Sequence, residues 1–384
     1  MNEIILPTYL NFGAGSVKNI TNILEKMKCY NPLIITDATL VKLKITKSLE
    51  DSLTSKQIRY TIYKDTIPEP TAASIIEGVE LIKKNNFDCI IAFGGGSPID
   101  SAKAMSVLAK YGGKINDYKF PKIVSQKGLP IIAIPTTAGT GSEVTKFTII
   151  TDENTDEKML CVGPAYMPTA AIIDYELTLS LPQRTTADTG IDALTHAIEA
   201  YVSKKANLFS DTQAVSAMKL IAPNLRVVFN EPNNKESREK LMMGATLAGM
   251  AFSNSSVALV HGMSRPIGAF YHVPHGLSNA MLLPAVTEFS ISSSPNRYAQ
   301  CAYAMGVTSA NDNIEDANQK LIVELKNLNK DLNVPRPEEY GIKKEDFFSK
   351  LDIMAQQALN SGSPGNNPVV PSHEQIKSLY KKLW

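Results

Sequence analysis

Three of the five histidines of this sequence, His261, His272 and His275, lie within the segment HGMSRPIGAFYHVPHG. A fourth, His196, follows Asp192 by four residues in DALTHAIEAY, so on a helix the carboxylate and the imidazole share one face. Imidazole is the commonest protein ligand for transition metals. The sequence therefore predicts a metal site made by Asp192, His196, His261 and His275. One carboxylate with three imidazoles suits divalent iron or zinc rather than calcium or magnesium. Taken alone, Asp192 and His196 would also suit a structural i,i+4 pair.

A glycine-rich turn follows the apolar run DCIIAF. It reads Gly94-Gly95-Gly96-Ser97-Pro98-Ile99-Asp100. Glycines let the backbone approach a ligand closely, and a helix N-terminus offers free N–H groups and partial positive charge. We expect Ser97 to cap a helix, Pro98 to take its first position and Asp100 to complete a capping-box-like arrangement. The turn then predicts a phosphate cradle, although its spacing is not GxGxxG. A tight turn that binds nothing is the alternative.

A second polar loop, PTTAGTGSEVT (135–145), follows the run LPIIAIP. The hydroxyls of Thr136, Thr137 and Thr140 and nearby amides could hold a ribose or a pyrophosphate; an ordinary hydroxyl-capped turn is the alternative. Asp37, directly after PLIIT, is placed like an acid that binds the 2′-hydroxyl of an adenosine ribose, and its charge would repel a 2′-phosphate. An aspartate at this place is also a common turn residue.

The secondary-structure pattern that positions these residues changes near residue 181, from alternating strands and helices to helices alone. Short β-branched runs at 32–36, 59–63, 88–93 and 129–135 alternate with helical patterns at about 40–53, 71–86 and 97–110. This alternation predicts a parallel sheet covered by helices. Segments 146–152 and 158–163 predict a hairpin, and 169–174 one more strand. We therefore expect an α/β domain over 1–180 and an all-helical domain over 181–384.

The second half predicts helices near 186–203, 210–229, 235–252 and 256–265. Pro266 should end or kink the last of these, and His275 should begin a new helix. The small residues of AGMAFSN (248–254) suit close helix packing, with Phe252 the exception.

Composition excludes several classes of function. The net charge of +1 gives no bulk attraction to nucleic acid or to an anionic membrane. No run approaches the length of a membrane span, and the four cysteines lack CxxC spacing. These features predict a reduced, cytoplasmic protein without a disulfide framework or a thiolate metal site.

Six motifs in order resemble the iron-containing (group III) alcohol dehydrogenase family. They are GGGSPID, PTTAGTGSEVT, TGIDALTHAIEAY, AGMAFSN, HGMSRPIGAFYHVPHG and NAMLLP. The resemblance implies a dinucleotide-binding α/β domain with a parallel sheet and an all-α metal-binding domain, the layout shared with dehydroquinate synthases. A metal, commonly Fe²⁺ although Zn²⁺ or another divalent ion would suit the ligands, would lie in the cleft between them. LPTYLNFGAGS is similar to the family's opening hairpin, and homo-oligomers, dimers or larger, are implied.

The resemblance also implies individual roles. Asp192, His196, His261 and His275 fall on the family's metal-ligand positions. Cofactor-binding positions are matched by Asp37, Gly95, Gly96, Ser97, Thr136, Thr137, Thr140, Lys158 and Leu177. Lys158 and Leu177 match positions that contact the nicotinamide half, Asp37 matches the acid linked to NAD preference, and Phe252 matches an aromatic near the substrate.

One position departs from the family pattern. Many members carry a second histidine four residues after the third ligand, and here that residue is Arg265. A proton-relay role given to that histidine cannot be transferred. His272 could serve as the catalytic group instead, or could be an exposed residue. Arg265 could be structural or could attract a substrate carboxylate or phosphate.

The resulting hypothesis is a metal-dependent NAD(H) alcohol dehydrogenase or aldehyde reductase acting on small primary alcohols or diols. An ω-hydroxy-acid dehydrogenase of the 4-hydroxybutyrate type is the first alternative. A dehydroquinate synthase-like lyase is less favoured because the matching motifs lack a comparable basic cluster. A non-enzymatic nucleotide- and metal-binding module is the last alternative.

Overall fold

The computed structural model describes residues 3–309 and 311–384. The chain divides into two compact units, Ile4–Ser180 and Leu181–Trp384. The first is α/β and the second is built from helices, so the predicted fold class is confirmed.

The first unit contains a six-stranded parallel sheet in the order β1-β8-β5-β4-β2-β3, and a separate two-stranded sheet, β6-β7. The strands are β1 Tyr9–Phe12, β2 Pro32–Ile35, β3 Thr61–Tyr63, β4 Cys89–Gly94, β5 Ile131–Pro135, β6 Phe147–Asp152, β7 Glu157–Val162 and β8 Ala170–Ile173. Strands β2, β4, β5 and β8 are buried throughout. Continuous apolar runs are typical of parallel strands that are covered on both faces.

Five helices accompany this sheet: α1 Ile20–Met27, α2 Ala38–Lys42, α3 Lys47–Ser55, α4 Ile76–Lys84 and α5 Gly96–Tyr111. The helix predicted at 40–53 is therefore two short helices, with Lys44 in the left-handed conformation between them (φ 59°). Alternate residues of each buried strand enter opposite cores. Ile90 and Ala92 of β4 pack in one apolar cluster, while Ile91 and Phe93 pack in the other.

The N-terminal segment does not form the hairpin implied by the resemblance. β1 is a single strand that pairs in parallel with β8, in the register Tyr9↔Ala170. It thereby covers what would otherwise be an exposed sheet edge. The Asp174 carboxylate then accepts hydrogen bonds from the backbone N–H groups of Gly15 (3.1 Å) and Val17 (3.1 Å). The hairpin predicted at 146–163 does form, with Phe147 opposite Val162 and Asp152 opposite Glu157.

The second unit contains ten α-helices among its described residues. They are α6 Gln183–Val202, α7 Leu208–Asn230, α8 Lys235–Ser253, α9 Leu259–Tyr271, α10 His275–Ser290, α11 Pro295–Met305, α12 Ile314–Asp331, α13 Lys344–Ser349, α14 Leu351–Asn360 and α15 His373–Lys381. Helix α6 is buried along most of its length and packs against α7, α8 and α10. It is the central helix of this unit.

Pro266 does not end α9, which was one of the two outcomes predicted for it. The helix continues to Tyr271, where His272 takes the left-handed conformation (φ 52°) that ends it. A proline inside a helix removes one hydrogen bond, but α9 is held by tertiary packing. A Cβ added at Gly262 would lie 2.7 Å from the Pro364 ring, and the Tyr380 hydroxyl donates to the Met263 carbonyl at 2.7 Å. The C-terminal segment therefore braces α9.

Across the described ranges, every helix falls short of the length and apolar character that a bilayer crossing requires.

Candidate functional site

The four predicted metal ligands lie on three helices of the second unit. Asp192 and His196 are one turn apart on α6, His261 is in the first turn of α9, and His275 begins α10. One donor atom from each of the four lies within 4.8 Å of the others. The Nε2 atoms of His196, His261 and His275 are 3.8, 3.5 and 3.8 Å from Oδ1 of Asp192. The fold thus brings together all four residues that the sequence singled out.

These separations fit a single metal ion. The three edges from Asp192 Oδ1 to the imidazole nitrogens are 3.5–3.8 Å long. A regular tetrahedron with edges of that length has its centre about 2.1–2.3 Å from each corner, close to the length of a bond from zinc to nitrogen or oxygen. Burial favours the neutral form of Asp192, but the three imidazoles outweigh it and hold the carboxyl pKa below its usual range. The carboxylate is therefore ionised and available as a ligand.

Glu199 positions His261 and was missed by the sequence analysis. Its Oε2 atom lies 2.6 Å from His261 Nδ1 and accepts a hydrogen bond from the Ala258 N–H at 2.8 Å, while Oε1 accepts from the Val260 N–H at 2.6 Å. The carboxylate thus caps the start of α9 and leaves Nε2 of His261 directed at the four-donor cluster. The available signal was an acid one turn after His196 on the same helix.

Glu199 also sets the charge of His261. Burial lowers the pKa of this imidazole, but Glu199 and Asp192 together outweigh burial and raise the pKa to about 9. In the absence of an ion, His261 is therefore protonated at neutral pH.

Asn279 is a second missed residue. It is fully buried one turn after His275 on α10. Its Nδ2 atom donates to Asp192 Oδ1 at 2.7 Å and lies 3.2 Å from Nε2 of both His261 and His275. Its Oδ1 atom is buried without a hydrogen-bond partner among the described residues. The amide therefore contacts the carboxylate ligand and two of the three imidazole ligands at once.

The aromatic predicted near the substrate packs on a ligand. The Phe252 ring of α8 stacks on the His196 imidazole, with centroids 4.2 Å apart and planes 17° apart. Phe252 is buried, so it fixes the orientation of His196 from the side opposite His261, whose ring centroid is 4.4 Å from that of His196.

Arg265, where many family members have a histidine, and His272 are not among the four clustered donors. Arg265 follows His261 by one turn of α9 and is partly buried. His272 is exposed at the C-terminal cap of α9, and its carbonyl accepts a hydrogen bond from the Tyr340 hydroxyl at 3.3 Å. The structure therefore gives His272 a helix-ending role.

In the α/β unit, the glycine turn begins α5 differently from the prediction. Gly95 is the N-cap and Gly96 the first helical residue, with no side-chain cap. Ser97 instead accepts a hydrogen bond from the Glu69 N–H at 3.2 Å. Gly94 has φ +150°, and a Cβ there would lie 2.6 Å from the Pro98 ring. The prediction that Ser97 and Asp100 cap this helix was wrong, because the helix begins one residue before Ser97.

The two polar loops lie side by side because β4 and β5 are neighbours, with Gly94 opposite Pro135. The Thr136 N–H donates to the Gly94 carbonyl at 3.0 Å. A Cβ on Gly95 would approach Thr137 to 3.3 Å, and one on Gly96 would approach Thr140 to 2.9 Å. Loops at the carboxyl ends of adjacent parallel strands are where open α/β sheets bind ligands.

Lys103 and Asp100 fasten the second loop to α5. The fully buried Lys103 ammonium donates to Ser142 Oγ (2.9 Å), to the Thr145 carbonyl (3.0 Å) and hydroxyl (3.1 Å), and to the Phe147 carbonyl (2.8 Å). Burial lowers the pKa of Lys103 to about 8 against the opposing effects of Asp100 and Glu143. Asp100 accepts from the Ser142 hydroxyl (2.6 Å) and from the Ile149 N–H (3.0 Å). Both carboxylate oxygens of Asp100 are thus used within the protein.

The remaining predicted cofactor residues have internal partners. Asp37 caps α2 by accepting from the Leu40 N–H at 2.9 Å. The Lys158 ammonium pairs with Glu69 at 2.8 Å. Leu177 is partly buried against the apolar core.

Two further groups of potential ligands occur in the described ranges: Cys29, Asp88 and Cys89, and the more exposed Asp352, His373 and Glu374. The Asp88 carboxylate already accepts from the N–H groups of Tyr30 (2.5 Å) and Asn31 (3.0 Å). The four-donor cluster alone combines burial with three imidazoles.

Comparison with known proteins agrees with this architecture. Residues 7–175 match the model of iron-containing alcohol dehydrogenases, and residues 186–384 match the C-terminal model of the Fe-containing alcohol dehydrogenase family. The chain belongs to the iron-containing alcohol dehydrogenase family.

Individual relatives span the whole chain. It is 36% identical over 392 residues to lactaldehyde reductase of Escherichia coli (strain K12), with 100% of both chains covered. It is 34% identical over 382 residues to the NAD-dependent methanol dehydrogenase of Bacillus methanolicus, with 99% of each covered. The crystal structure of a 1,3-propanediol oxidoreductase superposes with a TM-score of 0.95 at 31% identity, covering 100% of both chains.

Proposed function

We propose that this chain catalyses the reversible, NAD(H)-linked interconversion of small primary alcohols or diols and their aldehydes at a divalent metal site. The observation that carries the proposal is the buried cluster of Asp192, His196, His261 and His275, whose donor spacing fits one ion. When bound, a divalent ion supplies Lewis acidity that lowers the pKa of a hydroxyl group, and the nicotinamide supplies or accepts hydride.

The protein's own residues have defined tasks in this proposal. Asp192, His196, His261 and His275 hold the ion, and Glu199, Asn279 and Phe252 fix the directions of those ligands. Backbone N–H groups at the start of α5, beside Gly95 and Gly96, receive the pyrophosphate. Thr136, Thr137 and Thr140 supply the facing wall, and Lys103 keeps that wall in place.

Membership of the iron-containing alcohol dehydrogenase family supports iron as the metal, and the NAD-dependent methanol dehydrogenase supports NAD(H) as the cofactor. Several relatives are named for activity on lactaldehyde, methanol or propanediol. A cytoplasmic location and a homodimer or larger homo-oligomer complete the proposal.

The test is reconstitution of metal-stripped protein under anaerobic conditions. Separate samples receive Fe²⁺, Zn²⁺, Mn²⁺ or no metal and are assayed with NADH or NADPH against short aldehydes. We expect NADH oxidation that depends on added metal, and loss of metal binding in the variant His261→Ala. Full activity of the metal-free sample, or silence with every metal while metal and NADH are both bound, would overturn the proposal.

A further inference from the structure

Arg265 differs from every other arginine of the second unit. Arg184, Arg226, Arg238, Arg297 and Arg336 each donate to a carboxylate or carbonyl oxygen. Arg265 is partly buried, yet throughout residues 3–309 and 311–384 its guanidinium makes no hydrogen bond and no ion pair. The Arg265 nitrogens are not among the fully buried, unpartnered side-chain atoms of the described residues, so water reaches the guanidinium. An anionic group from outside the chain can replace that water as a charge-assisted acceptor.

The position of Arg265 relates it to the metal site. It follows His261 by four residues on α9, so the two side chains share one face of the helix. His261 uses that face to reach Glu199 and the four-donor cluster. Burial lowers the pKa of Arg265 to about 10, with Glu199 acting in the opposite direction. The guanidinium therefore stays charged at neutral pH on the ligand-bearing face of α9.

The charges around the metal site leave one positive charge in excess, that of Arg265. Asp192 and Glu199 carry two negative charges, which a divalent ion would balance. Arg265, whose charge also interacts with Glu199, then brings the sum over Asp192, Glu199, the divalent ion and the guanidinium to +1. A neutral alcohol would not balance this charge, whereas a planar guanidinium fork pairs well with the oxygens of an anionic group.

We propose that Arg265 is a specificity-determining residue that binds an anionic group of the substrate, so the preferred substrates are short aldehydes and alcohols that carry a carboxylate, sulfonate or phosphate. This inference rests on the proposed function and narrows its substrate class. The three anions share one chemistry, delocalised negative oxygens that accept two parallel N–H donors.

The experiment compares matched substrates on the metal-reconstituted full chain. Succinic semialdehyde, sulfoacetaldehyde and glycolaldehyde phosphate are assayed with NADH beside butyraldehyde, propionaldehyde and glycolaldehyde. We expect higher kcat/KM for at least one anionic aldehyde than for its neutral counterpart. Arg265→Gln should lower that ratio by about 10- to 100-fold, mainly through KM, as expected for loss of a charge-assisted hydrogen bond. The ratio for Arg265→Lys should lie between that of the unmodified protein and that of Arg265→Gln. The control is Arg336→Gln, which alters an ion pair with Glu339 in which both side chains are more than half exposed, and it should leave the ratio unchanged.

Equilibrium binding tests the inference independently of turnover. Calorimetric titration uses 4-hydroxybutyrate, 2-hydroxyethanesulfonate and 2-hydroxyethyl phosphate. For at least one of these ligands, the dissociation constant should be about 10- to 100-fold higher in Arg265→Gln than in the unmodified protein. Thermal unfolding of each variant checks that it is folded. Neutral and anionic aldehydes reduced equally well, with a ratio and an affinity that Arg265→Gln leaves unchanged, would overturn this inference while the proposed function stands. Absence of any metal-dependent reduction would instead contradict the proposed function, and the binding constants would still decide the role of Arg265.

Discussion

The Glu199 carboxylate lies 2.6 Å from Nδ1 of His261, and the same carboxylate accepts the backbone N–H groups that begin α9. One side chain therefore both starts the helix that carries a metal ligand and turns that ligand toward the site. This double use links local folding of α9 to the metal affinity of the second unit.

Glu199→Gln should weaken metal binding by about 10- to 100-fold, the usual effect of losing an outer partner of a histidine ligand. The amide oxygen can still accept backbone N–H groups, but the amide nitrogen cannot accept the Nδ1 proton of His261. Competition with a chelator of known affinity measures the change. Glu324→Gln, which alters a pair with Arg226 on other helices, is the matched control. Equal dissociation constants for the Glu199→Gln and Glu324→Gln proteins would contradict the assigned role.

Metal affinity should rise with pH. With a folded-state pKa of about 9, His261 must release a proton when an ion takes Nε2, so affinity should increase about tenfold per pH unit between roughly pH 6.5 and 9. Chelator competition with Zn²⁺ across that range checks the slope.

The same raised pKa acts oppositely on the metal-free protein. Its contribution to stability is complete below the unfolded value of about 6.5 and is lost as pH rises through about 9. In denaturant unfolding of the metal-free protein, the free energy that His261 contributes to stability should therefore decrease over this pH interval. The variant His261→Gln should lack this decrease. A pH-independent difference between these two proteins would show that His261 is not protonated at neutral pH.

Substitutions of Asn279 should separate two effects. Asn279→Leu removes the donor to Asp192, and metal affinity should fall about tenfold or more. Asn279→Asp places a second carboxylate beside Asp192, which should destabilise the metal-free protein by like-charge repulsion and strengthen the stabilisation gained on adding metal. Thermal unfolding with and without Zn²⁺ reads out both. The assigned contact is wrong if the metal-induced rise in Tm changes in the same direction in both variants.

Gly96→Ala should weaken NADH binding, because its Cβ would lie 2.9 Å from Cγ2 of Thr140 and push the two loops apart. Overpacking of this kind costs about 1–3 kcal/mol. The double variant Gly96→Ala/Thr140→Ser removes the opposing methyl group and should recover most of the affinity. Calorimetry with NADH measures all three proteins, and a double variant no better than Gly96→Ala would argue against close contact of the loops in the cofactor-binding state.

Asp37→Asn should raise the NADP:NAD ratio of kcat/KM by about tenfold, the equivalent of roughly 1.4 kcal/mol. The amide keeps an acceptor for the Leu40 N–H, so α2 stays capped, while the charge that would repel a 2′-phosphate is gone. Asp37→Ala should lose about 0.5–2 kcal/mol of stability in addition. Unchanged coenzyme selectivity in Asp37→Asn would leave Asp37 with the capping role alone.

The sequence predicted the four-donor cluster because the chain has only five histidines, and because Asp192 and His196 share a helix face at a spacing that needs no knowledge of the fold. It also predicted a parallel sheet with a polar loop after each of two apolar runs, which are β4 and β5. Apolar periodicity also predicted the segments of β2 to β8 and of α2 to α10, whereas α1, the parallel pairing of β1 and the individual helices from α11 to α15 were not predicted.

Partners far apart in the sequence could not be predicted in this way. Lys103 resembles a surface lysine until β6 and the loop before it close over α5 and surround its ammonium with acceptors. Cys29 and Cys89 have no recognisable spacing, yet pairing of Pro32 with Cys89 between β2 and β4 brings their sulfur atoms within 4.8 Å. The exact start of α5 also escaped prediction, because three consecutive glycines leave its first residue undetermined until the loops pack.

The bracing of α9 by Pro364 and Tyr380 has a consequence for synthesis of the chain. A nascent polypeptide that has emerged as far as His275 already contains all four donors, but the residues that steady the helix bearing His261 have not been translated. We expect the ribosome-bound intermediate to hold an ion loosely and exchange it readily. Tight retention then awaits synthesis of the segment that contains Pro364 and Tyr380, and the ion retained is the one available once that segment has packed on α9.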